Sequence, residues 1–143
     1  MLMAALHPLH AETAQLVFFA GGSITGDDYS VRIAADGHVR FRQAGRGGSQ
    51  VVREFERMLT VAEQRQLTAT LRQGRLIRLP SQDFLKEPLL PDQGSYHIEL
   101  DFLGLHHAVN CGLPRGDRAL SRCQRAIAPL RNLLNTLLGV RIY

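Results

Sequence analysis

Residues 29–42 read YSVRIAADGHVRFR, and this stretch decides the fold. Two β-rich runs flank the tripeptide at 35–37, where Gly37 can adopt the left-handed backbone conformation that a three-residue hairpin loop prefers. That loop length places Ile33 opposite Val39 and gives the hairpin one apolar face. A two-residue turn would mix apolar and charged side chains on each face, so we predict the three-residue register.

The second face of this hairpin carries the arginines Arg32, Arg40 and Arg42. The same register places Arg32 directly opposite Arg40, and like charges in a cross-strand pair repel each other. An anion or an acidic partner between the two side chains would relieve that repulsion. We therefore take the three arginines as a candidate face for an anionic partner, with an ordinary solvated sheet face as the alternative.

Further strands and a helix are expected on either side of the hairpin. The patterns predict strands at 15–20 and 51–58, and the alternation of apolar and polar residues predicts a second hairpin over 95–111. The sequence TVAE at 60–63 matches a capping box, which satisfies backbone N–H groups at the start of a helix. This helix should end at Gln73, since Gly74 follows it.

A leucine-rich stripe predicts a last helix over residues 118–138. Pro129 should kink this helix or begin a second one, because proline removes a main-chain hydrogen bond. The order of elements predicts an α+β fold: an antiparallel sheet of about five strands with two helices packed on one face. Residues 15–143 would form a single domain, and residues 1–14 a flexible N-terminal tail or the remnant of a signal peptide.

The charge distribution bears on the class of partner. The 143 residues include 17 Lys and Arg against 13 Asp and Glu, which gives a formal net charge of +4. A nucleic-acid-binding domain usually concentrates its basic residues on one face, whereas acidic residues interrupt the arginines here, as over 53–57. The pattern therefore does not favour a nucleic-acid partner. No apolar run approaches the ~20 residues that span a bilayer.

Cys111 and Cys123 are the only cysteines. Their number and spacing do not match a metal site. In an oxidising compartment they would form a disulfide, and in the cytosol they would stay two buried thiols. A disulfide agrees with the apolar N-terminal residues 1–6, and together they favour a periplasmic or secreted protein, with a cytoplasmic one as the alternative.

The best cluster for metal binding or catalysis is His97, Glu99, Asp101 and His106, on the polar face of the second hairpin. Alternate residues of a strand point the same way, so these side chains share a face. Strand neighbours on one face lie ~6.6–7 Å apart, however, which makes convergence on one Zn²⁺ at ~2 Å difficult. A solvated sheet face is the alternative. We therefore expect no catalytic residues, no bound metal and no cofactor.

The order of several motifs resembles that of small bacterial domains of the emfourin type, which inhibit thermolysin-like metalloproteases, and of related secreted domains. The resemblance rests on FFAGG at 18–22 with Gly26 after it, LTVAE at 59–63, YHIEL at 96–100 and the leucine-rich helix from Pro129. It covers most of the chain, although the long 81–93 loop and the two cysteines are not part of the pattern. It implies protease inhibition and a metalloprotease as partner, without identifying any contact residue.

Three functions follow from these observations. The first is a non-catalytic protein-binding or inhibitory module whose loops at 20–28 and 81–93 contact a protein partner, since loops commonly carry such contacts. The second is a structural domain of the cell envelope, tied by a disulfide. The third is a small enzyme or metal-binding domain that uses the cluster around His97.

Overall fold

The computed structural model describes residues 15–22, 26–45, 50–79, 94–102, 104–114 and 119–143. Residues 1–14, for which we predicted a tail, and the predicted loop at 81–93 lie outside these ranges. The described elements, in chain order, are β1 (Gln15–Gly21), β2 (Asp28–Ile33), β3 (His38–Ala44), β4 (Val51–Met58), α1 (Val61–Gln73), a 3₁₀ turn (Leu76–Arg78), β5 (Ser95–Phe102), β6 (Leu105–Gly112) and α2 (Arg122–Leu138).

The hairpin of β2 and β3 has the predicted three-residue register. Ile33 lies opposite Val39 and Val31 lies opposite Phe41, so one face of the hairpin is apolar. Gly37 adopts a φ of 92°, the left-handed conformation that the loop requires. The loop closes with a hydrogen bond of 2.9 Å from the N–H of Gly37 to the carbonyl of Ala34.

All six described strands form one antiparallel sheet in the order β4-β3-β2-β1-β5-β6. Each of the six corresponds to a strand that was predicted individually, so only the predicted total of about five was one strand short. β4 shows little apolar alternation, but Phe55 stacks on Phe41 of β3 with 5.0 Å between the ring centroids. β1 lies in the middle of the sheet because it pairs with both β2 and β5.

Both helices pack on one face of the sheet, which we call the inner face, and this confirms the predicted α+β architecture. The core there is mostly aliphatic. It combines inward side chains of the strands with Leu67 and Leu71 of α1 and with Ile127, Leu130 and Leu134 of α2. Each of these five helix side chains is at most 2% exposed. We call the opposite face of the sheet the outer face.

The helix boundaries follow from their caps. Helix α1 begins with the predicted capping box, in which the Thr60 hydroxyl accepts from the N–H of Glu63 and the Glu63 carboxylate accepts from the N–H of Thr60. It ends at Gln73, as predicted. Gly74 follows with φ of −71°, so it is not left-handed; an added Cβ would lie 2.8 Å from the carbonyl oxygen of Thr70.

Helix α2 differs from its prediction at two points. It begins at Arg122 rather than 118, because Ser121 and Gln124 form a second capping box. Leu120, which we expected in the apolar stripe, precedes the helix and is 38% exposed. The helix continues through Pro129 to Leu138, so Pro129 does not begin a second helix.

Arg57 joins β4 to both helices. Its guanidinium donates to the two carboxylate oxygens of Glu63 at 2.9 and 2.7 Å, and to the carbonyl of Leu137 at 2.6 Å. The last turn of α2 contains no basic residue of its own, so Arg57 supplies the positive charge that a helix C-terminus favours. The hydrogen bonds from Arg57, with that from Thr60, lower the pKa of Glu63 to about 2.

Cys111 and Cys123 form a disulfide, with 6.2 Å between their Cα atoms. This separation lies within the ordinary range for a disulfide. The bond joins the end of β6 to the first turn of α2, and it decides between the bonded and free alternatives that the sequence left open. No helix in the described ranges is long and apolar enough to cross a membrane.

Candidate functional site

The three predicted arginines share the outer face of the sheet. Strand pairing places them in two parallel rows of side chains that cross five strands. One row consists of Glu56, Arg40, Arg32, Val17 and Glu99. The adjacent row consists of Glu54, Arg42, Ser30, Phe19 and His97. Arg32 and Arg40 are thus direct cross-strand neighbours, as the predicted register required.

Two of the three arginines have an acidic neighbour on β4. The Nε of Arg40 lies 3.4 Å from a carboxylate oxygen of Glu56, and the Nε of Arg42 lies 3.7 Å from one of Glu54. All four side chains are about half exposed or more, so each pair contributes little to stability. The carboxylates nevertheless balance the charges of Arg40 and Arg42.

Arg32 has no such neighbour. It is exposed and makes no hydrogen bond or ion pair with any residue that the structure describes. Its cross-strand neighbours are Arg40 on one side and Val17 on the other. An uncompensated guanidinium therefore lies next to an apolar side chain in the middle of the outer face.

The centre of the outer face is apolar and concave. Val17 and Phe19 of β1 project from it and are only partly buried. A cleft of about 370 Å³ is lined by Val17 but not by Phe19, with Arg32 and Arg40 on the side of β2 and β3 and Glu99 and Asp101 on the side of β5. We call it the central cleft. A second cleft of about 480 Å³ lies over β2, β3 and β4 and shares the wall formed by Arg32 and Arg40.

The predicted metal or catalytic cluster separates into two pairs. His97 lies 3.2 Å from Glu99 and also contacts the amide oxygen of Asn110, whereas His106 lies 2.8 Å from Asp101. Across the described residues, no group of three His, Cys, Asp or Glu side chains is arranged to hold a metal ion. Each histidine is therefore satisfied by a carboxylate on its own hairpin.

The described part of the predicted contact loop at 20–28 is held by hydrogen bonds. The carboxylate of Asp28 accepts from the N–H of Gly22 at 2.8 Å, and the carboxylate of Asp27 accepts from the amide of Gln43 at 2.7 Å. The phenol of Tyr143 donates to the carbonyl of Asp27 at 2.8 Å. Burial, with smaller contributions from Tyr29 and Asp27, raises the pKa of Tyr143, so this phenol stays protonated at neutral pH.

Sequence reasoning did not identify Val17 and Phe19 as part of the site. β1 reads as a continuous apolar run, which is typical of a strand buried on both faces. The outward position of these two residues could have been found from the period-2 spacing of Leu16, Phe18 and Ala20, all of which are buried on the inner face. Comparison with protein-family models and with curated proteins returned no match to this chain.

Proposed function

We propose that this chain is a non-catalytic protein-binding module whose contact surface is the outer face of the sheet. The observation that carries the proposal is the composition of that face. Partly buried Val17 and Phe19 lie at its centre, surrounded by charged side chains on β2 to β5. Protein interfaces commonly combine an apolar, aromatic centre with a polar rim.

The arrangement of the titratable groups also supports a binding role. The carboxylates of Glu99 and Asp101 lie in the central cleft, but each already contacts a histidine on the same hairpin. A metal-binding or enzymatic domain built on these residues is the second candidate, and it would require both pairs to separate and converge. A surface that binds a protein requires no such rearrangement.

Inhibition of a thermolysin-like metalloprotease is the specific form of this function that we propose. It rests on the resemblance of the sequence motifs to emfourin-type domains. The hydrogen bonds of Gly22, Asp27 and Asp28 support it, because residues that are already held in place lose little conformational entropy on binding. The disulfide supports a periplasmic or secreted location, since disulfides persist in oxidising compartments. The disulfide would be equally consistent with a structural domain of the cell envelope.

The test is a titration of a thermolysin-like metalloprotease with this protein, with a serine and a cysteine protease in parallel. We expect loss of metalloprotease activity near one-to-one stoichiometry. Val17→Asp should abolish inhibition because it places a charge at the centre of the contact surface. Val61→Asp is the matched control, since Val61 is 63% exposed at the start of α1, away from the outer face.

The outcomes separate the two levels of the proposal. Inhibition that survives Val17→Asp would contradict the outer face as contact surface. Activity of all three proteases at excess protein would refute inhibition. The binding function would then be judged by affinity capture from the source cell, in which a genuine partner must be retained by the Val61→Asp variant and lost from Val17→Asp.

A further inference from the structure

We infer that the central cleft recognises a carboxylate side chain of the protein partner that lies next to an apolar side chain, with Arg32 as the residue that binds the carboxylate. This inference rests on the proposed function and names the chemistry of the partner. Arg32 carries it because it is the arginine of the cleft that lacks an acidic neighbour among the described residues.

The position of Arg40 makes a carboxylate the fitting ligand for Arg32. The two side chains are direct cross-strand neighbours, so their Cβ atoms lie about 4.5–5.5 Å apart. The Nε of Arg40 lies 3.4 Å from Glu56, which is longer than a charge-assisted hydrogen bond, so the exposed Arg40 guanidinium can also donate to a second acceptor. A carboxylate between the two guanidinium groups would accept charge-assisted hydrogen bonds from both and remove their repulsion.

The apolar half of the ligand follows from Val17. This residue is opposite Arg32 on β1, and Phe19 lies two positions further along the same strand. An aliphatic or aromatic side chain beside the partner's carboxylate would cover Val17 and exclude water from the ion pair. The volume of about 370 Å³ lies in the range of pockets that bind compact ligands, so a pair of side chains fits the cleft.

The acidic residues on both sides argue against a polyanion. Glu56 lies two strands from Arg32 in one direction, and Glu99 lies two strands away in the other. At ~4.8 Å per strand, each carboxylate is about 10 Å from Arg32 across the sheet. A nucleic-acid strand carries one charge about every 3.4 Å, so it would place phosphates against both acidic residues. A single carboxylate avoids them.

The test uses short synthetic peptides with blocked termini as probes, titrated into the ¹⁵N-labelled full chain and followed by NMR. The first peptide has one glutamate between two leucines, and a matched peptide has glutamine in its place. We expect the glutamate peptide to shift the Arg32 Nε–H signal and the Val17 amide signal. It should bind about fivefold to tenfold more tightly than the glutamine peptide, as expected for one charge-assisted contact.

Variants assign the contact to Arg32. Arg32→Gln should reduce affinity for the glutamate peptide to that of the glutamine peptide. Arg65→Gln, on the exposed surface of α1, removes the same charge away from the cleft and should bind like the unmodified protein. Because Arg32 is exposed and its side chain makes no hydrogen bond or ion pair with a described residue, its replacement should not affect folding, which a thermal denaturation curve would verify.

Three results would overturn the inference. They are equal affinity for the glutamate and glutamine peptides, unchanged binding by Arg32→Gln, and tighter binding of inorganic phosphate or a single-stranded oligonucleotide at the same signals. Any of these would leave the proposed function in place if Val17→Asp still removes protease inhibition. Failure of the protease titration alone would leave the carboxylate contact intact.

Discussion

The contact between Glu63 and Arg57 gives the most specific prediction about stability. The Glu63 carboxylate accepts two hydrogen bonds from Arg57, at 2.9 and 2.7 Å, and one of 2.9 Å from the N–H of Thr60. Both side chains are at most about one third exposed, at 22% for Glu63 and 32% for Arg57. Glu63→Gln keeps the shape of the side chain and removes its charge.

The expected magnitude follows from the pKa of Glu63. The folded value of about 2 lies below the ordinary 4.5. At ~1.4 kcal/mol per pKa unit this gap sets an upper limit of roughly 3.5 kcal/mol, and access of solvent to the pair reduces it to about 1–2 kcal/mol. Because the folded pKa is the lower one, the stabilisation is complete above pH 4.5 and is lost as the pH falls towards 2.

Urea unfolding of the unmodified protein and of Glu63→Gln, measured between pH 7 and pH 2, tests this reasoning. At pH 7 the free energy of unfolding of the variant should be lower by about 1–2 kcal/mol, and the difference should shrink below pH 4.5. The control is Glu54→Gln, whose partner Arg42 lies 3.7 Å away in an exposed pair. A difference that does not change with pH, or an equal loss in the control, would refute the role of this ion pair.

Three further changes test other parts of the fold. The Cys111–Cys123 bond spans a sequence separation of 12, and its reduction should lower the free energy of unfolding, measured in urea, by about 3 kcal/mol. The stability of the control variant Cys111→Ala/Cys123→Ala should not change with reductant. Alkylation of both thiols in oxidised protein would contradict the bond. Gly139→Ala should lower the free energy of unfolding by about 1 kcal/mol in the same assay, because a residue with a side chain is strained at the φ of 63°. An added Cβ would meet no described atom within 4 Å, so a steric clash does not contribute. Unchanged stability would show that the helix end rearranges. Ser121→Ala removes the side chain that caps α2 and should lower the free energy of thermal unfolding by about 1 kcal/mol. Thr136→Ala, at an exposed site of the same helix, should lower it less.

Local rules allowed much of the fold to be predicted. The register of Ile33 with Val39 depends on the loop at 35–37 and on the side-chain period of a strand, both of which lie within a dozen residues. The start of α1 followed equally from Thr60 and Glu63. The start of α2 also has a local signal in Ser121 and Gln124, but the prediction followed the leucine stripe alone and placed the start at 118 instead of Arg122.

The candidate site depended on strand order, which local patterns do not specify. The sequence identified Arg32, Arg40 and Arg42 as one face, but it could not show that β4 would bring Glu54 and Glu56 beside two of them. Those contacts depend on the register in which β4 pairs with β3, and that register shifts at Gln43 and Ala44. β4 has little apolar alternation, so its sequence did not show which of its side chains would lie on the outer face.

Strand order also explains why the three arginines differ. β3 lies between two strands, and β4 provides a carboxylate opposite Arg40. β2 lies between β3 and the central strand β1, which must be apolar on its inner face to form the core and is apolar at Val17 on its outer face as well. An acidic residue at position 17 would have balanced Arg32 within the chain. Because valine occupies that position, the positive charge and the apolar surface lie side by side, and a carboxylate beside an apolar side chain complements both.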